Sequence, residues 1–283
     1  MIELGPVTLR EYNAWLIAGV LLALIIIAWH AARVGPQAVT RWLDAGIAAV
    51  VGGVIGGRLL YAALEWDTFE QPGEIARLSL GGMDWHGALL GGLLAALAVT
   101  RGRGVPFRPW TDAAALAWPV GVSAAWLACR RAGCGYGYEV RTLADWPGWL
   151  VEELPDVYGL IAPRLDVQLG GALWGLVLLV LAAVLTWRGW LPGLRLWLIL
   201  ALSGLGFSLL GFFRADPAQI IAGRRVDQLL DLLVLLLSTL AGGAIWLAQR
   251  RRTDRAYTQK GETADESEAG PGPDRAETGR SAS

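Results

Sequence analysis

Apolar residues recur along the chain in seven runs, parted by short links that are polar or carry arginine. Six of the runs are close to the roughly 20 residues that a helix rising about 1.5 Å per residue needs to cross a bilayer, and the third leads from a glycine-rich stretch around His86 to Arg101. The runs cover about residues 14–32, 45–64, 86–99, 112–129, 167–187, 194–213 and 226–247. No basic cluster precedes the first, which speaks against a cleaved signal peptide. In the second, Gly52-Gly53 and Gly56-Gly57 offer small faces suited to close helix packing. The pattern stops over residues 132–166, a stretch rich in Gly, Pro, Tyr and Trp, and a segment of that length predicts a small head outside the bundle. After residue 250 the chain turns polar through Ser283, which predicts a disordered tail over residues 251–283. The expected fold is an all-α polytopic membrane protein, with a seven-span domain over residues 1–250 and the head between helices 4 and 5.

Composition agrees with that class. Hydrophobic residues make up 54% of the chain and charged residues 17%, whereas soluble domains carry about a quarter charged residues. A net charge of -1 gives no electrostatic footprint for nucleic acid. The 15 Trp suit interfacial belts at headgroup depth.

Every basic residue except Lys260 is Arg, and their placement sets the expected topology. Arg33 and Arg41, then Arg101, Arg103 and Arg108, then Arg188 and Arg195, then Arg250 to Arg252 fall on one side of an odd-numbered bundle. The positive-inside rule makes that side cytoplasmic, with the N-terminus and the head outside and the tail inside. Arg58 then lies roughly 20 Å along its helix from the cytoplasmic end, in the outer third of the membrane.

The candidate chemistry gathers at that outer level. His86 stands in Gly81-Gly82-Met83-Asp84-Trp85-His86-Gly87, where an apolar run begins, and an ionisable group there needs a partner or a task. The plainer reading is a histidine that caps the helix and bonds a carbonyl. Asp84, two residues away, is expected to point elsewhere on a helix, so the two are not paired. Arg58, Arg130, Arg131, Arg214, Arg224, Arg225, Asp227 and Asp231 share the level of His86. A basic cluster at headgroup depth suits an anionic phospholipid, because Arg presents a planar fork to phosphate. Snorkelling to headgroups explains Arg130, Arg131, Arg224 and Arg225 equally well. Arg58, inside a span, requires an internal partner or a ligand. Cys129 and Cys134 are too few for a metal cluster; they either form a disulfide or act as small apolar residues, the latter being favoured. No internal repeat points to a transporter.

Gly57-Arg58-Leu59, the Gly81 to Gly87 stretch, Asp112 with Pro119-Val120-Gly121, the run from Cys129 to Gly137, Phe212-Phe213-Arg214-Ala215-Asp216, and Gln228 resemble the prolipoprotein diacylglyceryl transferases in order and spacing. The resemblance covers about residues 10 to 250. It implies a multi-pass enzyme of the bacterial plasma membrane that moves the diacylglyceryl group of phosphatidylglycerol to the lipobox cysteine thiol of a prolipoprotein and releases glycerol phosphate. Its partners would be phosphatidylglycerol and prolipoprotein signal peptides, with no cofactor and no metal. His86 matches the family's essential histidine, with Arg214 as the second catalytic candidate. The substrate-binding candidates are Arg58, Gly87, Trp126, Arg130, Arg131, Gly137 and Gln228. Several positions depart from the family's pattern. Trp126 falls where the family has its phosphate-binding arginine, and Phe207 and Gly211 fall where it has an arginine and a glutamate. These departures leave a second possibility, a relative that binds phospholipid or precursor without turnover.

Overall fold

The computed structural model describes residues 2–4, 7–78 and 81–268, with side chains described over residues 10–78 and 81–253. The chain divides into two units, Met1–Gly242 and Gly243–Ser283. An N-terminal pair of short antiparallel strands, β1 (Ile2–Leu4) and β2 (Val7–Leu9), precedes the helices. Seven long helices follow: α1 (Glu11–Val34), α2 (Pro36–Leu64), α3 (Trp85–Gly102), α4 (Phe107–Ala132), α5 (Val167–Trp187), α6 (Arg195–Leu210) and α7 (Val226–Glu268). Six of them are long and apolar enough to cross a membrane. The other, α3, is less apolar, with His86 in its first turn and Arg101 in its last.

Punctuation in the sequence places the boundaries. Pro36 opens α2, where its missing N–H costs nothing. Asp84 caps α3, Asp166 caps α5, and Gly133 ends α4 in the left-handed conformation at φ 70°. Between α4 and α5 the head is built on an antiparallel hairpin, β3 (Val151–Pro155) with β4 (Ile161–Leu165), in the register Val151 opposite Leu165. A smaller hairpin, β5 (Ile220–Ile221) with β6 (Arg224–Arg225), precedes α7.

Helices α2 and α3 meet through the glycines that the sequence marked. A Cβ on Gly56 or Gly87 would collide with the other's carbonyl oxygen, and one on Gly91 with that of Gly52. Two backbones therefore cross in direct contact. One apolar core joins α1 to α4 around Ile27, Trp42, Ala96 and Trp110; another joins α4, α5 and α6 around Leu116, Leu178 and Ile199. Large apolar side chains face outward along the helices, among them Leu21, Ile25, Ile47, Leu90 and Val180, each more than half exposed. So much contiguous apolar surface fits lipid as the surrounding medium.

The links between α1 and α2, α3 and α4, and α5 and α6 gather at one end of the bundle. Arg103 pairs with Asp44 at 2.8 Å, the Trp110 indole donates to the Trp42 carbonyl, and Asp112 accepts from the Gly193 N–H at 2.8 Å. The head lies with the opposite ends of α4 and α5.

In the second unit α7 continues as helix to Glu268, with the Arg250 guanidinium over the Trp246 ring. The tail expected to be disordered begins at residue 251, and α7 is helical through residue 268. The remainder of the expected tail, 269–283, lies outside the described residues.

Candidate active site

The site begins at the N-terminus of α3. Asp84 has extended backbone geometry and stands before the helix rather than on it. Its N–H donates to the Gly57 carbonyl on α2 at 3.0 Å, so the helix entry is tied to the glycine crossing. Its carboxylate accepts from the backbone N–H groups of His86 (2.9 Å) and Gly87 (3.1 Å), as a capping residue does. The same oxygen, Oδ1, lies 3.1 Å from His86 Nδ1. This corrects the expectation that the two residues point apart, which assumed that Asp84 was already helical. Burial pushes the Asp84 carboxyl up, but the hydrogen bonds from the His86 ring and the Gly87 and His86 N–H groups outweigh it and hold the group below the usual carboxylate range.

The other ring nitrogen of His86 finds α7. Nε2 lies 3.0 Å from Oδ1 of Asp231, and both side chains are about 5% exposed or less. Trp85 covers the imidazole, with ring centroids 4.1 Å apart. Gly87, expected to bind substrate, is spent on the crossing with Gly56.

Arg58 is buried, and backbone carbonyls take its hydrogen bonds. Nε donates to Ile75, Nη1 to Gly81 and Gly82, and Nη2 to Glu74 and Arg77. The guanidinium also lies 5.0 Å from the Phe69 ring centroid. The internal partner that Arg58 required is thus the link between α2 and α3, which it gathers over the start of α3.

Arg214 joins three segments that are far apart in sequence. It forms an isolated antiparallel bridge with Gly137, flanked by hydrogen bonds from Tyr138 N–H to the Phe213 carbonyl and from Ala215 N–H to the Tyr136 carbonyl. Gly137 has no room for a side chain, since a Cβ there would strike the Leu165 carbonyl. The Arg214 guanidinium clasps Asp216 through Nε (2.9 Å) and Nη2 (2.6 Å) and reaches Asp227 through Nη1 (2.9 Å). Arg225 binds the same two carboxylates, at 3.3 and 3.0 Å, closing a box of two arginines and two aspartates. Gln228, one residue on, is buried and donates to the Ser208 carbonyl at 3.0 Å, and Gly211 leaves space for it.

The remaining candidates lie to the side of this box. Arg130 pairs with Asp166 at 2.8 Å and with Glu152 of the head, and Arg131 pairs at the surface with Glu11. Trp126 lies against Gly135 and Gly171 and meets Phe207 in a T-shaped contact, and Phe207 in turn meets Trp85. Aromatic rings therefore lead from Trp126 to His86. Cys129 and Cys134 form a disulfide across the end of α4, which corrects the preference for two apolar thiols. The left-handed turn at Gly133 brings the two cysteines face to face.

Asp84, Asp231, Asp216 and Asp227 are the site residues that sequence reasoning did not assign. The level of Asp227 and Asp231 was readable from the spans, but their partners lie on other elements.

A sequence model of the prolipoprotein diacylglyceryl transferases matches residues 1–246. Among individual proteins, the chain is 32% identical over 108 residues to one from Chloroflexus aggregans named phosphatidylglycerol--prolipoprotein diacylglyceryl transferase, covering 38% of this chain and 35% of that one. Proteins of the same name from Symbiobacterium thermophilum and Corynebacterium efficiens are 28% and 29% identical. Those two alignments cover 83% and 84% of this chain and 88% and 78% of theirs. The chain thus spans about a third of the Chloroflexus relative and most of the other two. With α1 to α6 and the first half of α7 inside the matched residues, the chain belongs to the prolipoprotein diacylglyceryl transferase family.

Proposed function

We propose that this protein transfers the diacylglyceryl group of phosphatidylglycerol to the lipobox cysteine thiol of prolipoproteins at the outer face of a bacterial plasma membrane. In this reading seven helices span the membrane, the head over residues 132–166 and the N-terminus lie outside, and the C-terminus is cytoplasmic. The gathering of the arginine-bearing links at one end of the bundle supports that orientation. The observation that carries the function is the clamp on His86, an imidazole held by Asp84 and Asp231 in a water-poor setting.

A thiol is a poor nucleophile until it loses its proton, so the reaction needs a proton acceptor. The Asp84, His86 and Asp231 group is that acceptor. The thiolate then forms a bond to the terminal glyceryl carbon, the bond from that carbon to the phosphate oxygen breaks, and its electron pair leaves with glycerol phosphate. Arg214 and Arg225 supply positive charge beside the departing phosphate, provided that it displaces a carboxylate from the box. Arg58 contributes by holding the link over the site.

A second reading, binding without turnover, is favoured by the Trp126 and Phe207 contact, which puts rings where the family carries arginines. Purified protein, labelled phosphatidylglycerol and a lipobox peptide separate the two. Labelled peptide supports transfer, and lipid binding with no labelled peptide supports the second reading.

A further inference from the structure

His86 is the residue that the family resemblance marks as essential, yet it has no ring nitrogen to spare. Nδ1 faces Asp84 at 3.1 Å and Nε2 faces Asp231 at 3.0 Å. A carboxylate oxygen donates no hydrogen bond unless it is itself protonated, so a proton must lie in each of these contacts. Asp84 Oδ1 is already shared by the His86 ring and two backbone N–H groups. Asp231 uses only Oδ1 toward the imidazole, and among the described residues its Oδ2 accepts no hydrogen bond. The backbone of Asp231 is fixed as well. Gly204 on α6 brings its Cα against the Asp231 carbonyl, so closely that a Cβ would lie 2.5 Å from that oxygen.

We propose that Asp231, through its free oxygen Oδ2, is the atom that takes the thiol proton, and that His86 acts as its charged partner rather than as the base. This rests on the transferase reading above. In the resting site the imidazole carries both protons and donates one to each carboxylate. The S–H proton passes to Asp231 Oδ2, the sulfur electron pair forms the bond to the glyceryl carbon, and the carbon–oxygen bond breaks toward phosphate. The proton on Asp231 then passes to the departing glycerol phosphate, which restores the starting state. The charged groups facing the pair are Asp84 at the start of α3, Asp227 one turn earlier on α7, and Arg214 beyond α6. The α6 face turned toward them contributes the uncharged Gly204, Phe207 and Ser208.

Two measurements on the full chain test this. The protein has two histidines, so with nitrogen-15 histidine and His30→Gln as the assignment variant the ring signals of His86 are read directly. At neutral pH both His86 nitrogens should carry protons, and Asp231→Leu should abolish the Nε2–H signal. A wild-type His86 with one bare nitrogen overturns the proposal. In the transfer assay Asp231→Asn should lower kcat roughly 100-fold while KM for the lipid changes less than about threefold. Because the thiol must then ionise unaided, that deficit should shrink about tenfold per pH unit up to the thiol's own value of about 8.5. Asp231→Glu should recover part of the rate. A deficit that stays constant with pH in an active enzyme overturns the role of Asp231 alone. A wild type that binds lipid and transfers nothing overturns the transferase reading and the proton step with it.

Discussion

Trp126 on α4 and Phe207 on α6 meet in a T-shaped contact with ring centroids 5.8 Å apart, at two positions where the resembled family carries arginines. Two charges have thus been exchanged for one aromatic contact. Gly135 and Gly171 make the room for Trp126, since a Cβ on Gly171 would meet the indole at once. Trp126→Ala should therefore cost about 3 kcal/mol, at the lower end for a large aromatic because the side chain is only half-buried. A double-mutant cycle with Phe207→Ala should show about 0.5–1.5 kcal/mol of coupling, measured by unfolding in mixed detergent. Strict additivity would mean that the two rings are merely neighbours.

Arg58 separates a structural role from a ligand role. Arg58→Lys keeps the charge and loses the fork that reaches five carbonyls. Amide exchange over residues 81–84 should rise by at least tenfold, with phosphatidylglycerol affinity within about threefold of wild type. Unchanged exchange with affinity reduced tenfold would place Arg58 on the phosphate instead.

Asp84 makes stability depend on pH with a definite sign. Its carboxyl lies below its ordinary value of 3.8 in the folded protein. Its contribution is therefore complete above that value and is lost as pH falls through the lower folded value. Asp84→Ala should cost about 1 kcal/mol at neutral pH, and Asp84→Ser should retain most of the cap. Melting curves from pH 7 down to pH 3 check this: the gap between wild type and Asp84→Ala should narrow at the acid end. A gap that widens there would reverse the assignment.

Arg130 tests whether the lost arginine has been rebuilt one turn outward. The structure gives it to Asp166, the buried cap of α5, and to Glu152 on β3. Arg130→Ala should destabilise the head by about 1–3 kcal/mol, seen as faster proteolysis within residues 132–166, with lipid affinity nearly unchanged. A tenfold loss of affinity with an intact head would restore Arg130 as a phosphate ligand.

The helical bundle was legible because apolar runs of span length admit few other structures, and the glycine pairs marked a face of α2 for close packing without naming α3 as its partner. Three things were not legible. Helix boundaries decide direction, and Asp84 standing one residue before α3 rather than within it reverses where its carboxylate points. Charges at one level do not reveal their partners either. Arg58 read as needing an internal partner or a ligand and Arg130 as a phosphate ligand or a snorkelling cation; the carbonyls of a link hold the one, a helix cap holds the other, and a pair of aspartates holds Arg214. The Cys129–Cys134 disulfide depends on a left-handed turn at Gly133 that spacing alone leaves open.

The central claim is that the clamped His86 belongs to a working transferase. Its most direct test is the purified protein in phosphatidylglycerol vesicles with a lipobox peptide, followed by mass spectrometry of the peptide, beside a His86→Asn variant of equal stability. Wild type should give a diacylglyceryl thioether on the cysteine and stoichiometric glycerol phosphate, with the variant reduced at least 100-fold. An unmodified peptide from wild type, or equal transfer by His86→Asn, would contradict it.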